Sequence, residues 1–236
     1  MRERAESDTL AIIPLRAGSK GLKGKNLRPL AGKPLYRHSL EQALRVVGRC
    51  VLSTDIAEVL TGTYPPGCRV VPRPPELAQD QTPMAPVLMH LFEHLKQRDA
   101  LPKIAILLQA TSPLRQDGDI QSAIDLYETG RFELVMSVVK TDPGILKYGF
   151  AENGRFTPVS SPEYCFANRQ SLPEIVRPNG AVYVFSPETF LKTGSFATQA
   201  IGSVEMPEAR SIDIDTEADL RAAEQHLLQH QFSQAS

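Results

Sequence analysis

Short apolar runs alternate with amphipathic helical patterns over the first 140 residues, and this alternation limits the fold more than any other sequence feature. Runs typical of buried strands lie at residues 10–13, 50–52, 68–71, 104–108 and 134–139. Helices are predicted between them at residues 34–47, 84–95 and 117–129. Such an order predicts an α/β fold in which a mostly parallel sheet is flanked by helices on both faces. Ligands bind to such sheets at the carboxyl ends of the strands.

The alternation breaks after residue 140. Residues 142–178 are rich in proline and glycine, which predicts hairpins and loops and not a further strand–helix unit. Strands are predicted again at residues 181–185 and 200–205, and a helix at residues 216–229 with Asp215 or Thr216 as its cap. We therefore expect one domain over residues 1–236, with a small inserted lobe at about 140–186.

The overall charge excludes some classes of partner. The chain has 26 Lys+Arg and 27 Asp+Glu, a net charge of −1, so no general basic excess indicates nucleic-acid binding. No apolar stretch approaches the roughly 20 residues that cross a membrane, and the first ten residues lack the apolar core of a signal peptide. The three cysteines form no CxxC pair. We expect a cytoplasmic protein with neither nucleic acid nor membrane as partner.

The near-neutral total conceals a basic loop directly after the first strand. Residues 16–33 contain six Lys and Arg, no acidic residue, and glycines at 18, 21 and 24. Glycines allow backbone N–H groups to approach an anion closely, so the loop predicts a polyphosphate site. Its spacing fits neither the Walker A motif, because Asn26 follows Lys25 where Ser or Thr is required, nor the GxGxxG dinucleotide motif.

A carboxylate pair lies far along the chain. Asp213 and Asp215 alternate with Ile212 and Ile214, and residues two apart share one face of an extended segment. Two carboxylates on one face, with isoleucines opposite, predict a hard oxygen site suited to Mg²⁺. Asp219, on the following helix, is expected to be solvated.

Five ordered segments together resemble the acylneuraminate cytidylyltransferases, also called CMP-sialic acid synthetases. The first is residues 12–26 (IIPLRAGSKGLKGKN), with an apolar strand, Arg, a Gly-Ser-Lys-Gly turn and Lys-Asn. The others are residues 73–80, 107–115 (LLQATSPLR), 169–183 and 211–219 (SIDIDTEAD). The ketodeoxyoctonate cytidylyltransferases share the fold and the chemistry, but the RPNGA-Tyr and IDID segments favour the nonulosonate branch.

The resemblance implies a Rossmann-like fold of the nucleotide-diphospho-sugar transferase type. It also implies an activity: transfer of CMP from CTP to the anomeric hydroxyl of a nine-carbon 2-keto sugar acid, with release of pyrophosphate. The metal would be Mg²⁺, and the product a CMP-activated sugar for surface glycan synthesis. The lobe would serve homodimerisation, with each subunit helping to complete the other's sugar pocket.

The same resemblance, with the loop and carboxylate patterns, gives the expected site residues. Those predicted to be catalytic are Arg16, Lys25, Asp213 and Asp215, of which the two aspartates bind the metal. Those predicted to bind CTP are Leu15, Arg16, Ala17, Gly18, Ser19, Lys20, Lys25, Asn26 and Arg73. Those predicted to bind the sugar acid are Gln109, Lys147, Arg169, Tyr183 and Phe196, the last reaching the partner's site. Phe196 stands between Ser195 and Ala197 without a second aromatic, which leaves N-acetylneuraminate, legionaminate and pseudaminate all open as substrates.

Other readings remain. A non-catalytic CTP-binding regulatory module would retain Arg16 and Lys25 but lose the carboxylate pair. Residues 90–94 (HLFEH) match the H-x-x-E-H zinc-protease pattern, but the helical wheel places both histidines away from the apolar stripe, so we expect no zinc site there. The Ser53-Thr54-Asp55 turn is interpreted as structural.

Overall fold

The computed structural model describes residues 8–18 and 21–234. Seven of its strands form one sheet in the order β5-β4-β1-β6-β10-β7-β11, and β2–β3 and β8–β9 form two small antiparallel pairs. The strands are β1 Thr9–Leu15, β2 Pro29–Leu30, β3 Lys33–Pro34, β4 Cys50–Thr54, β5 Cys68–Pro72, β6 Ile104–Leu108, β7 Leu134–Thr141, β8 Gly149–Glu152, β9 Arg155–Pro158, β10 Ile175–Phe185 and β11 Ile201–Glu205.

The large sheet is mostly parallel. Strand β1 pairs in parallel with β4 and β6, β4 with β5, and β7 with β11. Among the described strands of this sheet, β10 alone runs antiparallel, between β6 and β7. The predicted fold class is confirmed. The carboxyl ends of β1, β4, β5 and β6 consequently lie side by side along one edge, where the site is expected.

In the described part of the chain, six α-helices accompany the strands: α1 Leu35–Val46, α2 Ala57–Leu60, α3 Met84–Lys96, α4 Asp117–Glu128, α5 Pro187–Thr193 and α6 Glu217–Gln234. The expectation that α1 has Pro34 as its first helical residue is wrong by one position. Pro34 has extended backbone angles and pairs with Pro29, so it precedes the helix as its cap. Thr216 caps α6, as one of the two predictions had it, because its Oγ1 accepts the backbone N–H of Asp219.

The core lies on both faces of the sheet, because alternate residues of each strand point to opposite sides. On one face Ile13 packs in a cluster with Leu40 of α1 and Ile120 of α4. On the other face Ile12 packs with Leu88 of α3 and Phe190 of α5. Burial on both faces is what keeps a parallel sheet stable, and it explains why its strands are continuous apolar runs.

A lobe of short 3₁₀ turns and the β8–β9 hairpin connects β7 to β10. The expected insertion was about 140–186, but β7 continues to Thr141 and β10 begins at Ile175, so residues 175–185 belong to the main sheet. The sequence Pro178-Asn179-Gly180 resembles a turn, which concealed the start of β10. In the structure a register shift between Pro178 and Tyr183 places this segment within the strand.

Two of the three cysteines are neighbours in the large sheet. Cys50 and Cys68 lie opposite each other on β4 and β5, although the sequence separates them, and both are free thiols, as is Cys165. Across residues 8–18 and 21–234, no helix combines the length and the apolar character that crossing a membrane requires.

Candidate active site

A polar cleft opens at the carboxyl ends of β1, β5 and β6. Loops that follow these strands supply its walls, as expected for a parallel sheet. Met84 at the start of α3 closes one side. Its lining residues are Pro14, Arg16, Lys25, Asn26, Arg73, Met84, Gln109, Ala110 and Thr111. Five of the predicted site residues, which the sequence places in four separate segments, therefore meet in one cleft.

The basic loop leaves β1 at Arg16 and is anchored on both sides. The backbone N–H of Ala17 donates to Asp55 Oδ1 at 2.9 Å, and the side chain of Asn26 donates to the carbonyl of Arg16 at 3.0 Å. Arg16 forms an ion pair with Asp80. Asp55, interpreted above as part of a structural turn, thus fixes the first residues of the predicted phosphate loop.

Three of the residues predicted to bind CTP need qualification. The side chain of Leu15 is 1% exposed in the core, so only its backbone can face a ligand. The Ala17 amide already donates to Asp55, so it is engaged within the loop. Ser19 and Lys20 lie outside the described residues.

Gly21 brings the basic loop against the carboxylate segment. A Cβ at this position would overlap the backbone carbonyl oxygen of Asp215. Gly24 has a different role, because its φ of 64° lies in the left-handed region and allows the turn that begins the 3₁₀ segment Lys25–Leu27. Gly21, expected to let a phosphate approach the backbone, therefore also lets the basic loop approach the backbone of Asp215.

Asp213 and Asp215 lie on an extended segment outside the sheet. Ile214 between them is fully buried, and its backbone N–H donates to the carbonyl of Thr111 at 2.8 Å, which ties the segment to the turn after β6. Both aspartates are exposed, as the predicted alternation required, but of the two isoleucines Ile214 is buried and Ile212 only half-buried. Lys25 Nζ lies 2.7 Å from Asp215 Oδ1, which joins the basic loop to the carboxylate pair across 190 positions of sequence.

The two carboxylates have different surroundings. Asp213 as a residue is exposed, yet the atoms around its carboxyl exclude water, and this desolvation raises its pKa with a smaller contribution from the charge of Asp215. A hydrogen bond with Thr111 and the charge of Lys25 oppose the shift. Asp219 accepts the backbone N–H groups of Asp215 and Thr216 at 3.1 and 2.7 Å. The expectation that Asp219 is merely solvated is wrong, because it orders the segment that carries Asp215.

The chemistry of the carboxylate pair fits a magnesium ion that would be bound partly by the protein and partly by a nucleotide. Asp213 and Asp215 offer hard oxygen donors, the type that Mg²⁺ prefers. Within the described part of the chain, no three His, Cys, Asp or Glu side chains converge on one point as a complete cage would require. Mg²⁺ usually takes one or two protein carboxylates and completes its shell with phosphate oxygens and water. The donor set is therefore the one expected for a nucleotide-bound ion.

Arg73 is a buried cation in the wall of the cleft. It is 6% exposed, and its Nη2 donates to the carbonyl of Ser53 at 2.8 Å. Burial lowers its pKa to about 10, against the charge of Asp55, which raises it. Its Nε is buried and has no hydrogen-bond partner among the described residues. A buried unsatisfied donor is costly, so the position fits a ligand that supplies an acceptor.

The predicted sugar-binding residues lie in three places: the cleft, the lobe, and an aromatic pair of β10 and the loop after α5. Gln109 lines the cleft at the end of β6. In the lobe, Lys147 donates to the carbonyl of Ala167, and Arg169 pairs with Asp142 at 3.1 Å. The rings of Tyr183 and Phe196 stack with centroids 5.9 Å apart.

Phe196 also contacts residues of its own subunit. Its ring packs against Phe185 and Phe190, with centroids 4.9 and 4.8 Å away. Phe196 therefore belongs to an aromatic cluster of its own subunit. Its reach into a partner's site stays a prediction.

The residues of the zinc-protease pattern lie on α3. His90 and His94 have ring centroids 6.4 Å apart, Glu93 is exposed, and no group of metal-ligating side chains is found near them among the described residues.

Comparison with known proteins establishes the family. A family model described as cytidylyltransferase matches residues 10–187, from β1 to the first residue of α5. The chain belongs to the cytidylyltransferase family. The family expected from the five sequence segments is thereby confirmed.

Relatives within this cytidylyltransferase family are named for nonulosonic acids. An N-acylneuraminate cytidylyltransferase of Streptococcus agalactiae is 31% identical over 94% of this chain and 53% of its own length. A CMP-N,N'-diacetyllegionaminic acid synthase of Legionella pneumophila is 30% identical over 89% of this chain and 92% of its own. The chain spans about half the length of the first of these curated relatives.

Solved structures agree with the cytidylyltransferase fold. A CMP:2-keto-3-deoxy-manno-octonic acid synthetase complexed with CTP aligns over 95% of this chain and 100% of its own, with a TM-score of 0.71 and 17% identity. A 4-diphosphocytidyl-2C-methyl-D-erythritol synthase from Anaerococcus prevotii aligns over 94% of this chain and 97% of its own, with a TM-score of 0.60 and 15% identity. At these identities the likeness supports the fold.

Proposed function

We propose that the protein transfers CMP from CTP to the anomeric hydroxyl of a nonulosonic 2-keto sugar acid. The observation that carries this proposal is the contact between Lys25 and Asp215, which joins the basic loop at the cleft to the carboxylate pair, as a site for a polyphosphate and its metal would require. The names of the relatives support a sialic-type acid as acceptor. The product would be a CMP-activated sugar for surface glycan synthesis, made in the cytoplasm.

The reaction is an in-line substitution at the α-phosphorus of CTP. The bond from the anomeric oxygen to this phosphorus forms while the bond to the bridging oxygen of the pyrophosphate breaks, and the hydroxyl proton is released. Little covalent chemistry is required of the protein, so catalysis rests on position and on stabilisation of charge. Mg²⁺ held by Asp213 and Asp215 would neutralise phosphate charge and stabilise the leaving pyrophosphate.

The residues of the cleft divide these tasks. Arg16 and Lys25 would contact the triphosphate, and Arg73, in the wall of the cleft, would contact the cytidine part of CTP. Gln109 would hydrogen-bond the sugar acid. Arg16 now pairs with Asp80, and Lys25 with Asp215. When CTP binds, its phosphate oxygens would replace these two carboxylates as partners of Arg16 and Lys25. The exchange would free Asp215 for the metal at the moment when the nucleotide arrives.

A pyrophosphate-release assay tests this proposal. With CTP and Mg²⁺, we expect release that depends on a sugar acid from a panel of N-acetylneuraminate, legionaminate, pseudaminate and ketodeoxyoctonate. Preference for ketodeoxyoctonate would support the alternative, a ketodeoxyoctonate cytidylyltransferase. Binding of CTP without release for any member of the panel would contradict the enzyme assignment and support the regulatory module.

We also propose that the protein acts as a homodimer through its lobe. This part of the chain exposes large apolar side chains that a monomer would leave in water: Phe166 is 90% exposed, Phe150 67% and Tyr148 64%. Contiguous exposed apolar side chains of this size are typical of protein interfaces. Arg169 and Lys147 lie in the same lobe, so a partner docked here could be brought close to predicted sugar-binding residues.

Replacing Phe166 by glutamate tests the dimer. Because a charge would be buried without a partner in the interface, we expect Phe166→Glu to shift the protein from dimer to monomer in sedimentation velocity, weakening association about a hundredfold or more. Leu60→Glu, at an exposed apolar residue of α2, is the matched control and should remain dimeric. A wild-type protein of 26.0 kDa that sediments as a monomer at assay concentration would contradict the proposal.

A further inference from the structure

Arg115 is a charged residue enclosed in the interior behind the cleft. It is 1% exposed, and its guanidinium donates to neutral oxygen atoms among the described residues. Its Nε donates to Gln42 Oε1 at 3.0 Å, its Nη1 to the carbonyl of Ala181 at 2.7 Å, and its Nη2 to the carbonyl of Gln109 at 2.9 Å. The Nη2 group also donates to Ser39 Oγ.

This arrangement is expensive for stability alone. The charge of Asp119 acts on Arg115 without a direct contact between them among the described hydrogen bonds and ion pairs, and its carboxylate is paired with Arg210 and accepts the N–H of Gln116. Burial lowers the pKa of Arg115, which shows that the fold disfavours its charge. A buried ion without a direct counter-ion generally contributes less stability than an apolar side chain of similar volume. The benefit of Arg115 therefore lies in how its guanidinium donors fix the positions of the groups that accept from them.

The two carbonyls that Arg115 holds belong to the paired strand β10 and to the residue that follows β6. One is the carbonyl of Gln109 itself, at the end of β6. The other is that of Ala181, at the irregular part of β10 where the register shifts. Gly180, next to Ala181, has a φ of 79°, and a Cβ there would lie 3.6 Å from Gln109 Nε2. Arg115 thus fixes both the backbone from which the Gln109 side chain departs and the backbone against which it lies.

We infer that Arg115 is a positioning residue that holds Gln109 in the orientation required to bind the sugar acid. The inference rests on the proposed function, in which Gln109 contacts the acceptor. Arg115 acts from behind the cleft, so its effect should fall on the acceptor and spare CTP. A residue that only stabilised the fold would affect both substrates alike.

Steady-state kinetics of Arg115→Lys test this inference. A lysine retains the charge but cannot hold both carbonyls, so we expect the KM for the sugar acid to rise about tenfold while the KM for CTP changes less than about twofold. Arg45→Lys is the matched control: Arg45 pairs with Asp117 on the surface, and its replacement should change neither KM. Equal changes in the two KM values for Arg115→Lys would overturn the inference.

A double-mutant cycle separates action through Gln109 from a parallel effect. If Arg115 works through Gln109, then Gln109→Ala should cost much less in kcat/KM for the sugar acid when Arg115→Lys is already present. Additive losses would overturn the inference. Should Arg115→Lys fail to fold, Gln42→Leu removes the acceptor of Arg115 Nε without removing a hydrogen bond to Gln109, and it should raise the same KM by roughly threefold.

A crystal structure of Arg115→Lys keeps the test independent of the proposed activity. We expect the Gln109 side chain to be displaced from its wild-type position by about 1 Å or more. An unchanged Gln109 would overturn the positioning role even if the enzyme proved inactive with every sugar acid. A displaced Gln109 in Arg115→Lys would leave the positioning role supported, and the proposed function would be contradicted separately if the wild-type protein released no pyrophosphate.

Discussion

Replacing Asp213 by asparagine is expected to lower the turnover number for CMP transfer about a thousandfold while the protein stays folded. Asparagine matches the shape of aspartate but lacks its charge, so Asp215 alone would hold the metal against the phosphates. Desolvation, with the charge of Asp215, raises the pKa of Asp213, which means that the fold disfavours its ionised form. Removing that charge should therefore leave the thermal unfolding temperature equal or slightly higher.

The measurement is the initial rate of pyrophosphate release as a function of Mg²⁺ concentration, together with thermal unfolding. Asp125→Asn is the control, because Asp125 is an exposed aspartate of α4 whose carboxylate accepts only from the side chain of Gln121 in the same helix. It should retain wild-type turnover and metal dependence. An Asp213→Asn protein with wild-type turnover and unchanged Mg²⁺ dependence would show that the metal assignment is wrong.

The opposing behaviour of activity and stability is the useful part of this experiment. Most substitutions that abolish activity also destabilise the fold, and then the cause of the loss is ambiguous. A catalytic group in a desolvated, like-charged position is different, because function holds it there at a cost in stability. Loss of turnover with retained or raised stability therefore identifies Asp213 as functional.

Local patterns in the sequence were sufficient for the elements that position this site. The continuous apolar run of β1 and the periodic apolar positions of α3 are dictated by burial on one or both faces, which sequence shows directly. The alternation of Asp213, Ile214 and Asp215 predicted their orientation for the same reason, even though the segment lies outside the sheet. Each of these features depends on neighbours a few residues away.

Contacts between distant segments could not be predicted in the same way. The pairs Lys25–Asp215 and Arg16–Asp80 depend on how loops meet at the sheet edge, as does the bond from Ala17 to Asp55. No local spacing encodes them. The start of β10 was missed because Pro178 and Gly180 are typical of turns, whereas a bulge tolerates both within a strand.

Removing the side chain of Lys25 is expected to lower the turnover number by roughly a hundred- to a thousandfold, because charge on the reacting phosphates would lose its nearest cation. The fold should change little. Asp215, the present partner of Lys25, is 69% exposed, and ion pairs with an exposed member contribute on the order of 0–1 kcal/mol. Loss of turnover in Lys25→Ala can therefore be assigned to the reaction, and circular dichroism with thermal unfolding provides the check.

The same substitution has a second, opposite effect that a general defect would not produce. Without Lys25, the Asp213 and Asp215 carboxylates lose a competing cation, so Mn²⁺ used as a probe in the absence of CTP should bind more tightly to Lys25→Ala than to wild type. Lys23→Ala is the matched control: this exposed lysine lies two residues away in the same loop and should alter neither turnover nor Mn²⁺ affinity by more than about twofold. Undiminished turnover in Lys25→Ala would refute its assigned role. Removal of a cation that competes for Asp215 can only raise the affinity for Mn²⁺. Weaker Mn²⁺ binding by Lys25→Ala would therefore contradict competition and show that Lys25 supports the metal site.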